Sequence, residues 1–118
     1  MDRDILVHLC GETEWAAAQR DGRLHPVSLD EVGFVHLSAP QQVHLPANRL
    51  YRGRTDLLLL HVNAEKLTDP VQWEPGVPTD PDGMLFPHLY GPLPVAAVSA
   101  VRPYRSGPDG RFAPLPGD

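Results

Sequence analysis

Fourteen prolines, most of them after Leu67, are the strongest constraint on what this chain of 118 residues can build. Proline fixes its own φ, removes a backbone donor and pushes the preceding residue toward extended backbone. The second half is therefore expected to hold short strands joined by fixed turns, with helices confined to the first half. The length suits one domain, large enough for a buried core and too small for two.

Apolar periodicity divides the chain further. Ile5–Leu9 alternates as a strand, with Ile5, Val7 and Leu9 on the core face and Leu6, His8 and Cys10 opposite. Thr13 to Asp21 reads as a short helix that turns Trp15 and Ala18 inward and ends on Gly22. Asp21 to Leu29 reads as turn and loop, and Gly33 opens a second strand, Phe34–Leu37. Ser38-Ala39-Pro40-Gln41 has the form of a capping box with Ser38 as N-cap. It predicts a helix to about Tyr51 with Val43, Ala47, Leu50 and Tyr51 inward, bent or split by Pro46.

Asp56–Val62 is nearly all apolar and reads as a strand buried on both faces. Asn63–Leu67 is expected to be a helical turn, and Val71–Glu74, Phe86–Tyr90 and Ala97–Pro103 strands. The class is α+β, with two helices early and strands concentrated later. One domain over residues 1–112 and a loose tail over 113–118 are expected.

Charge and composition exclude some functions. A formal charge of -5 argues against sequence-independent DNA binding. No apolar run approaches the length of a membrane helix, and Ile5–Leu9 is shorter than a signal-peptide core. The single cysteine excludes an internal disulfide and fits a reducing compartment, so a cytoplasmic, monomeric protein is expected. The basic residues are nearly all arginine, Lys66 being the one lysine; arginine suits phosphate and carboxylate, and a GC-rich coding sequence would enrich it equally.

Two stretches repeat a pattern that bears on chemistry: Val7-His8-Leu9-Cys10 and Val35-His36-Leu37-Ser38. In each, alternation sets an imidazole and a small polar residue on the face opposite Val and Leu. If the two strands approach, His8 and His36 face one cleft, with Phe34 as a flat surface beside them and Ser38 on the same face. The bland alternative is a pair of half-buried histidines bonded to backbone carbonyls. In "FPHLYGPLP", extended backbone points His88 and Tyr90 the same way. His25, His44 and His61 lack such company and are expected at the surface or satisfied.

Arg49, Arg52 and Arg54 cluster at a predicted helix C-terminus, where the dipole alone favours positive charge and where an arginine could also reach a phosphate. Glu74 is the best placed of the acidic candidates. No histidine pair stands at a tight metal-ligand spacing, so no metal site is assigned. Cys10, on the face of His8, leaves a small Cys/His or metal-dependent hydrolase as a further alternative.

Across nearly the whole chain the sequence resembles a small bacterial family catalogued as a domain of unknown function (number 952). The matching pieces are His8 with the Trp15 helix, "GFVHLSAPQQV", "ANRLYRGRTDLLLL", "WEP" and "FPHLYGPLP". More remotely, the order of His8, the Trp15 helix, Gly22 and "GFVHLS" is similar to ADP-ribosyltransferases and the RNA 2'-phosphotransferases of their fold. That resemblance implies a split or strongly curved, mainly antiparallel sheet around the nicotinamide end of NAD or a related nucleotide. It implies His8, His36 and His88 at catalytic positions, with Phe34, Ser38, Arg49, Arg52 and Tyr90 binding the nucleotide. Many relatives place a glutamate at the third catalytic position, where His88 or Glu74 stands here. A non-catalytic module that binds a nucleotide or similar metabolite is the competing reading.

Overall fold

A computed structural model describes residues 5–115. β1 (Ile5–Gly11) pairs antiparallel with β4 (Leu57–Asn63), which pairs in turn with β8 (Val98–Pro103). Alternation along β1 and β4 sorts their side chains onto two apolar clusters. Val7, Leu9, Leu57 and Leu59 meet Val43, Ala47, Tyr104 and Phe112 on one face. On the other, Leu6, Cys10, Leu60 and Val62 meet Ala18, Leu24, Val35, Leu37, Leu89 and Leu93. Burial of β4 on both faces is as its apolar run requires, and each buried leucine contributes roughly 2 kcal/mol. For β1 the expectation needs correction: the Leu6 and Cys10 face is core as well, and Ile5 is 49% exposed.

α1 (Glu12–Asp21) follows β1 directly. The Gly11 N–H donates to Glu14 Oε1 at 2.9 Å, and Gly22 closes the helix at φ 83° with its N–H on the Ala18 carbonyl. Ala18 is buried and Trp15 packs half-buried against the cluster that holds Leu6 and Cys10. The stretch expected to be loop instead holds β2 (Arg23–Leu24) and α2 (Val27–Val32), a six-residue helix with no buried residue that ends on Gly33 at φ 88°.

β3 (Val35–His36) pairs with β6 (Leu85–Leu89), and β5 (Val71–Pro75) lies on the other side of β6. β2 pairs with β7 (Leu93–Pro94). The expected helix after Ser38 is split, as Pro46 foretold. A 3₁₀ turn over Pro40–Gln42 precedes α3 (His44–Leu50), so Pro46 sits in a first turn, where its missing N–H costs little. The cap is Ala39, not Ser38: the Ala39 N–H donates to Gln42 Oε1 at 2.9 Å. Leu50, expected inward, is 53% exposed.

Ser38 has another task. Its N–H and carbonyl exchange hydrogen bonds with Val7 at 2.9 and 2.8 Å, the single bridge joining β1 to the end of β3. The two three-stranded sheets thus meet edge to edge at one point, and with the β2–β7 pair they make an antiparallel α+β arrangement of unclosed sheets. At the other end of the chain, Leu115 packs on the cluster that holds Val7 and Leu9, and the Ala113 carbonyl accepts the Tyr104 hydroxyl. The rest of the expected loose tail, 116–118, lies outside the described residues. Among the described residues no helix is long and apolar enough to cross a membrane.

Candidate functional site: a histidine-lined cleft where the sheets part

Beyond the Val7–Ser38 bridge, β1 and β3 diverge and open a cavity of about 410 Å³. That is within the range typical of small-molecule sites. His8, Phe34, His36, Ser38 and His88 line it together with Arg49 and Tyr51 from the end of α3. The imidazoles therefore converge: His8 and His36 of the repeated Val-His-Leu pattern come from the edge strands β1 and β3, and His88 from the central strand β6.

Each ring is held differently. His8 is buried, and its Nδ1 lies 2.6 Å from the His36 carbonyl. A neutral imidazole must donate there, because a carbonyl only accepts, so the lone pair of His8 is on Nε2. The bland reading of a histidine bonded to backbone is thus true of His8, yet the same ring lines the cavity. Burial pushes the His8 imidazole below its ordinary pKa, outweighing the His36 carbonyl and Glu14, which raise it. Burial also lowers His36, and the neighbouring His88, His8 and Arg49 add to that shift.

His36 and His88 are direct register partners across β3 and β6, with ring centroids 5.6 Å apart at 85°. Phe34 stacks on His88 at 3.9 Å and 12°, and meets His36 edge-on at 4.9 Å. His88 Nδ1 is 2.7 Å from Glu74 Oε1, and the Tyr90 hydroxyl donates to the same oxygen at 2.6 Å. Tyr90 and His88 together hold the Glu74 carboxyl below its usual range, and Glu74 in turn raises the Tyr90 phenol.

Of the residues read from sequence, His8, His36, His88, Phe34, Ser38 and Arg49 line the cavity. Tyr90 and Glu74 are outside the lining: the Tyr90 ring is 5.4 Å from Phe34, its hydroxyl bonds Glu74, and Glu74 bonds His88. Arg52 is exposed and is not part of the lining. Arg49 is paired through Nη1 with Asp80 at 3.3 Å, and the buried Asp80 carboxylate also accepts the Val77 N–H. Asp80, Tyr51 and Glu14 belong to the lining although sequence reasoning passed over them. Glu14 was the discoverable one, since it lies three residues after Gly11, in the first turn of the helix that follows His8.

The other histidines fall elsewhere. His25 bonds Asp30 at 3.0 Å at the surface. His44 and His61 are half-buried, and His44 Nδ1 and His61 Nε2 are buried without a hydrogen-bond partner, which corrects the expectation that they lie at the surface or are satisfied. Cys10 is sequestered in the apolar cluster, and burial pushes its thiol up to about 12, so it is no nucleophile at neutral pH. Among the described residues no group of three or more His, Cys, Asp and Glu side chains stands where it could hold a metal ion.

Solved structures of one bacterial protein share this fold. The crystal structure of CC0527 from Caulobacter crescentus is 34% identical over 92% of this chain and 93% of that one, with a TM-score of 0.77. A double-mutant crystal form gives 32% identity, the same coverage and a TM-score of 0.79. The solution NMR structure gives 33% identity over 95% and 92%, with a TM-score of 0.75. Comparison with curated proteins finds no match. Residues 9–101 match the family model described as "Protein of unknown function (DUF952)", which bears out the family read from the motifs. The chain belongs to the DUF952 family.

Proposed function

We propose that the cleft binds NAD or a related nucleotide such as ADP-ribose, and that the protein is a cytoplasmic, monomeric transferase of ADP-ribosyltransferase type. The observation that carries this reading is the convergence of His8, His36 and His88, with Phe34, on one cavity. In this reading His8 and His36 bond ribose hydroxyls or a phosphate, with Ser38 supporting from the same wall. Phe34 takes the nicotinamide ring on the face away from His88, and Arg49 meets the diphosphate by exchanging Asp80 for it.

The electrostatics suit that chemistry. Breaking the nicotinamide–ribose bond develops positive charge on the sugar, and nicotinamide leaves without needing a strong acid. His8 and His36, held uncharged at neutral pH by their lowered pKa values, can bond the sugar without repelling that charge. What remains for the protein is to orient the reactants.

A binding-only module is the second reading, and one observation favours it. The carboxylates of the lining are already engaged, Glu14 by the Gly11 N–H and Asp80 by Arg49 and the Val77 N–H. Thermal shift with NAD, ADP-ribose and 2'-phosphorylated nucleotides, followed by a nicotinamide-release assay, separates the two. Stabilisation with release supports the transferase, and stabilisation alone supports the module. No stabilisation by any nucleotide refutes both. His36→Ala should abolish the stabilisation without unfolding the protein, since its side chain stands at an exposed sheet edge.

A further inference from the structure

We propose that Glu74 is a positioning residue that fixes His88 as the Nδ1–H tautomer and leaves Nε2, on the cavity side, as a proton acceptor, while Tyr90 holds Glu74 in place. The arrangement has three supports. The first is register. In the β5–β6 pair, Glu74 stands opposite Phe86 and shares a face with Gln72 and His88, so its carboxylate reaches diagonally to the imidazole. The second is the shared oxygen. Glu74 Oε1 receives both His88 Nδ1 at 2.7 Å and the Tyr90 hydroxyl at 2.6 Å, so the carboxylate cannot swing away without losing two bonds.

The third is the ring plane. Phe34, parallel to His88 at 3.9 Å, prevents the imidazole from rotating out of line with Glu74. An ionised carboxylate accepts only, so Nδ1 must carry the hydrogen, and in the neutral ring the lone pair is then on Nε2. A carboxylate that orients an imidazole and steadies it once protonated is the logic of acid–base catalysis in nucleophilic enzymes.

In the transferase reading, on which the following step rests, the acceptor is a hydroxyl group or water in the cavity. His88 Nε2 takes its proton, its oxygen bonds the anomeric carbon of the ribose, and the carbon–nitrogen bond breaks with its electron pair passing to the nicotinamide ring. The imidazolium, stabilised by Glu74, then returns the proton to solvent. Glu74 acts through His88 and does not touch the substrate, which explains why it stands outside the cavity lining.

Nitrogen chemical shifts of the His88 ring test the tautomer without any ligand. With the ring neutral, wild type should show protonated Nδ1 and unprotonated Nε2. Glu74→Ala should revert the ring toward the ordinary Nε2–H form, and Tyr90→Phe should fall between them, with all three proteins folded by melting curves. An Nε2–H ring in wild type, or an unchanged ring in Glu74→Ala, overturns the proposal. In the nicotinamide-release assay, Glu74→Ala should lower kcat by roughly a hundredfold while KM moves little. A wild-type kcat in that variant also overturns it. Should wild type release no nicotinamide, the transferase reading fails, and the tautomer measurement still decides the role of Glu74.

Discussion

Replacing His8 by phenylalanine removes one hydrogen bond across the parting of the sheets and nearly nothing else. The aromatic volume is kept, so no cavity is opened beside Leu60, its partner in register on β4. What is lost is the Nδ1–H bond to the His36 carbonyl at 2.6 Å. A net protein hydrogen bond contributes about 1 kcal/mol, and the freed carbonyl lies beside a cavity that water can reach, so the cost stays near that value. For a domain of this size that corresponds to a fall of roughly 3–6 °C in Tm.

The pH dependence makes the prediction sharper. Burial lowers the folded-state pKa of His8 below its unfolded value, so the unfolded chain binds the proton more readily. Stability from the neutral imidazole is fully present above about pH 7 and is lost as pH falls toward the folded pKa. Phenylalanine does not titrate, while the dependence of His36, set first by its own burial, persists in both proteins and loses only the contribution of His8. Circular-dichroism melts should therefore show His8→Phe less stable than wild type in mildly alkaline buffer, with the gap shrinking or reversing in mildly acidic buffer. A gap that widens with acid would mean that the folded state holds His8 charged, and the reasoning about its tautomer would be refuted.

Two further outcomes follow from the placement of side chains. Arg49→Ala should weaken nucleotide binding by roughly tenfold, the loss of one charge-assisted phosphate contact, whereas Arg52→Ala should leave it unchanged in the same titration. Equal effects would show that the lining does not define the phosphate site. Cys10 should resist alkylation in the native protein at neutral pH, because its thiol is buried and raised to about 12. Cys10→Ser should cost stability and leave ligand binding intact, and rapid alkylation would revive the Cys/His hydrolase.

The parts of this protein legible in sequence are those governed by local rules. Alternation placed His36 and Phe34 together, Pro46 marked a helix that is split just before it, at Val43, and Gly22 ended α1, each for a reason contained within a few residues. What failed depended on distant partners. The Ile5–Leu9 pattern gave no sign that a second layer, with Ala18, Leu24, Val35 and Leu93, would bury the Leu6 and Cys10 face of β1 as well. α2 was missed because no residue in it is buried and so no apolar period marks it, although Pro26 and Gly33 bracket it. Glu74 was noticed but could not be joined to His88, since the register of β5 on β6 depends on a polar loop whose closure no local pattern dictates.

Following the imidazole resonances of His8, His36 and His88 by NMR during titration with ADP-ribose tests the cleft most directly. If the cleft is the nucleotide site, all three should move together along one saturation curve while His25 and His61 stay fixed. Movement of a different set, or of none at saturating ligand, would mean that the three rings share a hollow without sharing a ligand.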